Sequence, residues 1–263
     1  MSMWRQQRRA AEREGRRYFE RHGIPPTRDI VPLILQTRKL IGVLSNERNE
    51  RRASDAAELA FKGLDTSIAN HPTEVSLDCR KGCSFCCYSM VVASAPEVFR
   101  IAQIVRQRAG ERLAATVQHI GQAHQATVGR DEDGRLQERR PCALLLDGIC
   151  TVYPVRPLVC RAMASHTVAA CESAFSDGVT NIPVPASMFL LKDAHAYCLL
   201  AALRACGLSI NTYELNHAIW TVLNAEHAEE RWLAGGDIFD GVDTRQPPEV
   251  GFLETLIAAA RGH

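Results

Sequence analysis

Apolar residues recur every three or four positions along most of the chain, the pattern of amphipathic helices that pack against a core. The clearest run covers positions 98–120, with arginines and glutamines on its opposite face, and it predicts one helix that continues to about Val128. Ser94 is a candidate cap for this helix, Pro96 suits its first turn, and Glu97 complements its dipole.

The same periodicity predicts helices on both sides of this run. Asp29 is a candidate cap for a helix that begins at Ile30, and a second helix begins near Ser54 and ends at His71 and Pro72. Further helical patterns cover 193–205 and 212–232. The segments between them are irregular and contain cysteines and prolines. The sequence therefore predicts a mainly α protein with two irregular cysteine-rich metal-binding loops between its helices.

Three regions follow from this reading. Residues 1–72 form an N-terminal helical region, 73–175 a cysteine-cluster metal-binding domain, and 176–263 an acidic C-terminal helical region. Residues 1–22 contain seven arginines and three glutamates, which predicts a solvated basic helix across the body, with an arm for an acidic partner as the alternative.

Composition narrows the class of protein. The 263 residues are 46% hydrophobic and 23% charged with a net charge of +1, which argues for a globular protein and against a dedicated nucleic-acid binder. The chain opens on arginines, and its best apolar stretch, 197–203, is far shorter than a membrane span, so we expect a cytoplasmic location and no membrane contact. Ten cysteines in a reducing compartment indicate metal binding or catalysis in preference to disulfides.

Seven of the cysteines form two clusters. The spacing of Cys83 and Cys86 lets one turn direct two thiolates at one metal, and Gly82 can adopt the positive φ that such turns use. The candidate metal ligands are Cys79, Cys83, Cys86, Cys87, Cys142, Cys150 and Cys160. Arg156 and Arg161 would offset the charge of several thiolates and donate hydrogen bonds to sulfur or to a bound anion.

The number of clustered thiols helps to decide which kind of metal site they form. One tetrahedral zinc takes four thiolates and leaves three that need another reason to cluster. Cys86 and Cys87 are neighbours in the chain and tend to point in different directions. An iron–sulfur cluster or two metals fit the number better, although the spacing matches neither common ferredoxin signature. Zinc, an iron–sulfur cluster and a polynuclear iron site all stay open here.

The stretch from Cys79 to Arg161 resembles the CxxCxxCC family of proposed zinc- or iron-chelating domains, the YkgJ-like cysteine-cluster proteins. The resemblance rests on C-x3-C-x2-C-C followed by P-C-x7-C-x-V-Y-P-x-R-P-x2-C-R, and it covers about a third of the chain. It implies a metal centre, with Tyr153 and Arg156 beside the ligands. The flagellin lysine N-methylases are similar in this motif, which implies an iron–sulfur cluster and methyl transfer to lysine for that branch.

The remaining candidates have weaker patterns. Cys171 is a candidate auxiliary ligand and His166 a candidate to complete a coordination sphere, whereas Cys198 and Cys206 lie on an apolar helical pattern that predicts core packing. Motifs for dinucleotides, phosphate loops, nucleophile elbows and zinc proteases are absent from the sequence.

These patterns lead to three hypotheses. The preferred one is a protein with an iron–sulfur cluster, which as an enzyme would transfer a group to a protein substrate, as in lysine methylation. The second is a structural Zn2+ module that binds a protein partner. The third is a thiol redox or metal-delivery protein that uses Cys86 and Cys87.

Overall fold

The computed structural model describes residues 31–71, 73, 75–177, 182–242, 244–245 and 250–262. The predicted basic helix at 1–22 and the predicted cap Asp29 lie outside these residues. Helices dominate the described chain, so the predicted mainly α class is confirmed.

Two helices open the described part of the chain, close to their predicted positions. Helix α1 covers Val31–Leu44 and helix α2 covers Arg52–Asn70. The first turn of α2 is capped from a distant part of the chain, because the Glu229 carboxylate accepts a hydrogen bond from the backbone N–H of Ser54 at 2.7 Å.

Helix α3, Ala95–Ala109, begins at the predicted place. Ser94 and Glu97 form a capping box, in which the Glu97 carboxylate accepts the backbone N–H of Ser94 at 2.8 Å. The prediction of one continuous helix to Val128 is wrong. Gly110 has a φ of +51°, which ends α3, and helix α4 follows at Leu113–Thr127 after a short 3-10 turn.

The second half of the described chain consists of shorter helices around one long helix. In chain order they are α5 Glu132–Gln137, α6 Leu158–Ala162, α7 Val168–Asp177, α8 Ala186–Ala205, α9 Leu215–Asn224, α10 Ala228–Leu233 and α11 Val250–Arg261. The predicted helix over 212–232 is therefore a strand followed by two helices.

The strands are short and serve to fix the helix ends. Strands β1 Val92–Ser94, β4 Thr212–Glu214 and β5 Thr244–Arg245 form an antiparallel sheet in the order β1-β4-β5, and β2 Leu145–Leu146 pairs with β3 Ile149–Cys150. Ala93 lies opposite Tyr213, so the sheet holds the first turns of α3 and α9 side by side.

Helix α8 is the centre of the core. It packs against α1, α2, α6 and α11, and its residues Leu199 and Leu203 are almost fully buried. This helix is long and apolar enough to cross a membrane, although its sequence alone predicts no such span. Because 61% of its most apolar stretch is buried inside the protein, we interpret it as a core helix.

Candidate metal centre

The first cysteine segment, residues 79–87, is a pair of tight turns. Gly82 has a φ of +96°, and the Cys83 N–H donates to the carbonyl of Arg80 at 3.1 Å, which closes the turn before the second cysteine. A 3-10 helix at Phe85–Tyr88 follows and carries Cys86 and Cys87. These turns replace an extended backbone, so the two adjacent cysteines lie on a tightly curved segment.

The second cysteine segment, residues 142–160, is a hairpin followed by a short helix. Cys142 precedes the hairpin and accepts the Leu145 N–H at its carbonyl, while Cys150 lies on the returning strand opposite Leu145. Asp147 and Gly148 form the tip and both have positive φ, as a tight two-residue hairpin requires. Cys160 lies on α6.

The helical body holds this second segment through two buried polar side chains. The Glu97 carboxylate accepts the Leu158 N–H at 2.9 Å, at the start of the helix that carries Cys160. The Asn216 side-chain oxygen accepts the Ala143 N–H at 2.8 Å, next to Cys142. Both acceptors lie in the first turns of helices that the small sheet aligns. The positions of the second-segment cysteines are thus set by the body.

The two cysteine segments meet directly. The Cys142 N–H donates to the Cys87 carbonyl at 2.7 Å, which joins segments more than fifty residues apart in the sequence. The thiol of Cys87 interacts electrostatically with those of Cys142 and Cys160. The Cys160 thiol also interacts with that of Cys150. The structure therefore joins the two predicted cysteine clusters through the backbone.

Cys171, a candidate auxiliary ligand in the sequence, joins this group. It lies on α7, and the thiol of Cys171 interacts electrostatically with those of Cys83 and Cys86. Helix α7 packs against the 3-10 helix of the first segment, where the Phe175 ring lies 4.7 Å from that of Tyr88. An aromatic contact thus docks the helix that carries the eighth thiol.

The thiols differ in their protonation. A hydrogen bond from Cys87 lowers the pKa of Cys86 to about 7, with a smaller contribution from the positive charge of Arg156. The same hydrogen bond, together with burial, raises the pKa of Cys87. Burial raises the pKa of Cys142 to about 11 and that of Cys160 well above its ordinary value. Of these four thiols, Cys86 is therefore the most acidic.

The two arginines of the motif have different surroundings. Arg161 is buried and its guanidinium donates to the carbonyls of Arg156 and Pro154 and to the Asp65 carboxylate, so we assign it to holding the loop. Arg156 lies over the Tyr153 ring at 4.0 Å and interacts with the Cys86 and Cys150 thiols. Of the two, Arg156 is the residue placed to balance thiolate charge.

A third arginine lies near the thiols without having been predicted. Arg135 is 1% exposed and donates to the Glu214 carboxylate at 2.6 Å. The charges of this pair act in opposite directions on the pKa of Cys142, which burial raises. In the described part of the chain, two further nitrogens of its guanidinium, Nε and Nη2, have no hydrogen-bond partner. The sequence places Arg135 in a charged segment that predicts a surface loop, so no local signal marks it as buried.

The other candidates lie at the edge of the centre or away from it. A ring nitrogen of His166 lies 3.2 Å from the Ser76 carbonyl. Cys198 is fully buried in α8, and Cys206 packs against the same core, as their apolar pattern predicts. All ten cysteines are free thiols.

The donor set suits zinc or iron, since thiolates are ligands of Zn2+ and of iron–sulfur clusters. Among the described residues, no three cysteine, histidine or carboxylate side chains converge closely enough to hold one ion. In the part of the chain that the structure describes, the two segments thus lie side by side without forming a coordination sphere.

Comparison with known proteins agrees with this donor set. Residues 78–179 match the CxxCxxCC family model, described as a proposed zinc- or iron-chelating domain. This segment is similar to that family. The matched segment contains both cysteine segments and Cys171, and it leaves the helices α1, α2, α8, α9, α10 and α11 outside. Searches of curated proteins and of solved structures gave no significant match.

Proposed function

We propose that this chain binds metal through its two cysteine segments, with an iron–sulfur cluster preferred over Zn2+. The observation that carries the proposal is the 2.7 Å hydrogen bond from the Cys142 N–H to the Cys87 carbonyl, which holds the two thiol-bearing segments against each other. The proposed ligands are Cys79, Cys83, Cys86, Cys87, Cys142, Cys150 and Cys160. The two joined segments carry more thiols than one closed zinc site uses, which supports a cluster.

The charges near the thiols support the same proposal. A set of thiolates carries negative charge that must be balanced when it is partly buried. Arg156 interacts with two of the thiols, so it brings positive charge to the centre. When bound, the metal supplies Lewis-acid or one-electron chemistry, and Arg156 lowers the cost of gathering its ligands.

We also propose that the metal centre takes part in group transfer. Cys79 and Cys86 are exposed, so the centre is accessible from solution on that side. Such access is compatible with transfer of a group to a protein substrate, for which lysine methylation is the proposed example. Ten free thiols are consistent with a reducing, cytoplasmic location, which we also propose.

One observation favours a second candidate function, a structural Zn2+ module that binds a protein. The hairpin beside Cys150 exposes two large apolar side chains, Leu146 and Ile149, at about half of their surface each. A zinc-stabilised hairpin with an apolar tip is suited to contact a protein partner. This candidate requires a colourless protein with zinc and no iron.

The experiment is anaerobic purification of the full chain, with quantitation of iron, zinc and acid-labile sulfide and an ultraviolet–visible spectrum. We expect iron, sulfide and visible absorption. Zinc alone with no visible absorption would establish the second candidate. A protein without stoichiometric metal would overturn both.

A matched pair of variants localises the metal. Cys160→Ser removes one proposed ligand, whereas Cys206→Ser removes a thiol that packs against the core outside the matched segment. We expect metal content to fall in Cys160→Ser and to stay at the wild-type level in Cys206→Ser.

A further inference from the structure

A cluster of three aromatic rings lies next to the adjacent cysteines of the first segment. The centroid of the Phe175 ring, on α7, is 5.8 Å from that of Phe85 and 4.7 Å from that of Tyr88. The ring planes are tilted by 55° and 52°, so the rings meet at an angle and do not form a flat stack. All three residues are half-buried, which places the cluster at the protein surface.

A cation already lies on one ring of this cluster. The guanidinium carbon of Arg139 is 5.0 Å from the centroid of the Phe175 ring, within the range of a cation–π interaction. The same guanidinium donates a hydrogen bond to the Ser176 carbonyl at 3.3 Å. Because the face of an aromatic ring is negative, the contact with Arg139 shows that the cluster accepts a positively charged group.

Arg139 takes this position in a backbone conformation that favours glycine. Its φ is +51°, in the left-handed region that commonly ends a helix. The Arg140 N–H donates to the Arg135 carbonyl at 2.9 Å, which closes the end of α5 around Arg139. Arginine is less stable than glycine in this conformation, yet it supplies a side-chain contact that glycine lacks. Because Arg139 is exposed and exposed cation–π contacts are weak, a second cation can displace it.

The cluster borders the candidate metal centre. The four-residue 3-10 helix begins with Phe85, ends with Tyr88 and has the two adjacent cysteines between them, so a ligand on these rings is next to both thiol-bearing residues. On α7, Glu172 lies three positions before Phe175 on the same face of the helix, and it is exposed. Its carboxylate adds negative charge beside the rings.

We propose that Phe85, Tyr88 and Phe175 form a binding subsite for an alkylammonium group, the charged end of a lysine side chain or of its methylated form. Arg139 covers the subsite in the free protein and leaves the Phe175 ring when the ligand binds. The ring faces attract the charge, and the ring surfaces cover the methylene groups next to it. This inference rests on the group-transfer function proposed above and adds to it the residues that hold the ammonium group of the substrate.

The test compares two probes of the same shape on the full chain. One is Nα-acetyl-trimethyllysine amide, and the other is its neutral analogue, in which carbon replaces the ammonium nitrogen. NMR titration follows the terminal methyl protons, which ring currents shift upfield when they lie over aromatic faces. We expect an upfield shift and an affinity about tenfold higher for the charged probe. Equal affinities, or no upfield shift, would overturn the subsite. This comparison needs no variant, so it stands even where a variant fails to fold.

Three variants localise the binding. Phe175→Leu keeps an apolar side chain and removes the central ring, so we expect about a tenfold loss of affinity for the charged probe and a smaller loss for the neutral one. Arg139→Gln removes the competing cation and should raise the affinity for the charged probe about threefold. Arg140→Gln is the matched control, because it removes the same charge from the next residue, which pairs with Glu138. It should bind the probe as the wild type does.

Two results of the variant series would contradict the assignment. Unchanged affinity in both Phe175→Leu and Arg139→Gln would place the probe elsewhere and overturn the subsite. An equal gain of affinity in the two arginine variants would reflect net charge alone and overturn the role of Arg139.

Metal content, measured in the same samples, keeps the two proposals distinguishable. Charge discrimination by a protein without iron or zinc would support the subsite and overturn the metal-binding function. Equal binding of the two probes by a protein with stoichiometric metal would overturn the subsite and leave the metal-binding function intact.

Discussion

The helical body and the cysteine segments of this protein are stabilised in different ways. In the body, long helices bury whole faces, and residues such as Leu199, Leu203 and Ile101 are almost inaccessible to solvent. In the cysteine segments, the elements are two to five residues long and their positions depend on a few hydrogen bonds from the body. Apolar burial therefore specifies the helical frame, whereas polar anchors from the body position the thiols.

Removal of the metal should produce the largest difference in amide-exchange protection between the cysteine segments and the helical body. Bound metal contributes about 10–16 kcal/mol in small zinc-binding units, so we expect the cysteine segments to lose amide-exchange protection when it is chelated. Helices α1, α2 and α8 should keep theirs, because they pack on one another without the segments. Hydrogen exchange with mass spectrometry measures both, and simultaneous loss of protection everywhere would contradict the division.

A core substitution should show the opposite pattern. Leu203→Ala removes a side chain that is completely buried in α8, and we expect the free energy of unfolding to fall by about 2–5 kcal/mol. Urea unfolding gives the value, and metal content of the folded protein should not change. A variant of normal stability that has lost metal would reverse the roles assigned to the two regions.

Low pH should destabilise the body through His195. Burial lowers the pKa of His195 from 6.5 to about 4, so the unfolded chain binds a proton in this window and the folded chain does not. The free energy of unfolding therefore decreases as the pH falls from 6.5 towards 4, by up to about 1.4 kcal/mol per pH unit and by about 3 kcal/mol over the whole range. Urea unfolding of the wild type and of His195→Gln across this range measures it, and equal slopes would count against the assignment.

Substitution of the two motif arginines should affect different properties, the free energy of unfolding for Arg161 and the pKa of Cys86 for Arg156. Arg161→Ala removes bonds to two carbonyls and a carboxylate, and we expect it to cost about 1–3 kcal/mol in the free energy of unfolding. Arg156→Ala should cost less stability, yet it should raise the pKa of Cys86, whose thiolate that arginine favours. The pH dependence of Cys86 alkylation in metal-free protein measures this shift. A larger loss of stability in Arg156→Ala, together with a raised Cys86 pKa in Arg161→Ala, would contradict these roles.

Sequence patterns predict those features here that local chemistry determines. Neighbouring residues predict the cap at Ser94 and the burial of Cys198, and the structure adds that Glu97 completes a capping box with Ser94. The break at Gly110 was missed because the apolar period continues through it, and only its positive φ marks the end of α3. Cys171 and Arg135 depend on tertiary contacts, with Ser165 and with Glu214, which have no fixed spacing in the sequence.

The identity of the ligands tests the central claim most directly. Pulse alkylation of the anaerobic, metal-loaded chain, followed by peptide mass spectrometry, reports the accessibility of each thiol with and without a chelator. We predict that chelation increases the labelling of the seven proposed ligands and of Cys171, and that it leaves Cys198 and Cys206 unchanged. Equal labelling of the eight thiols in the loaded and chelated protein would contradict the account.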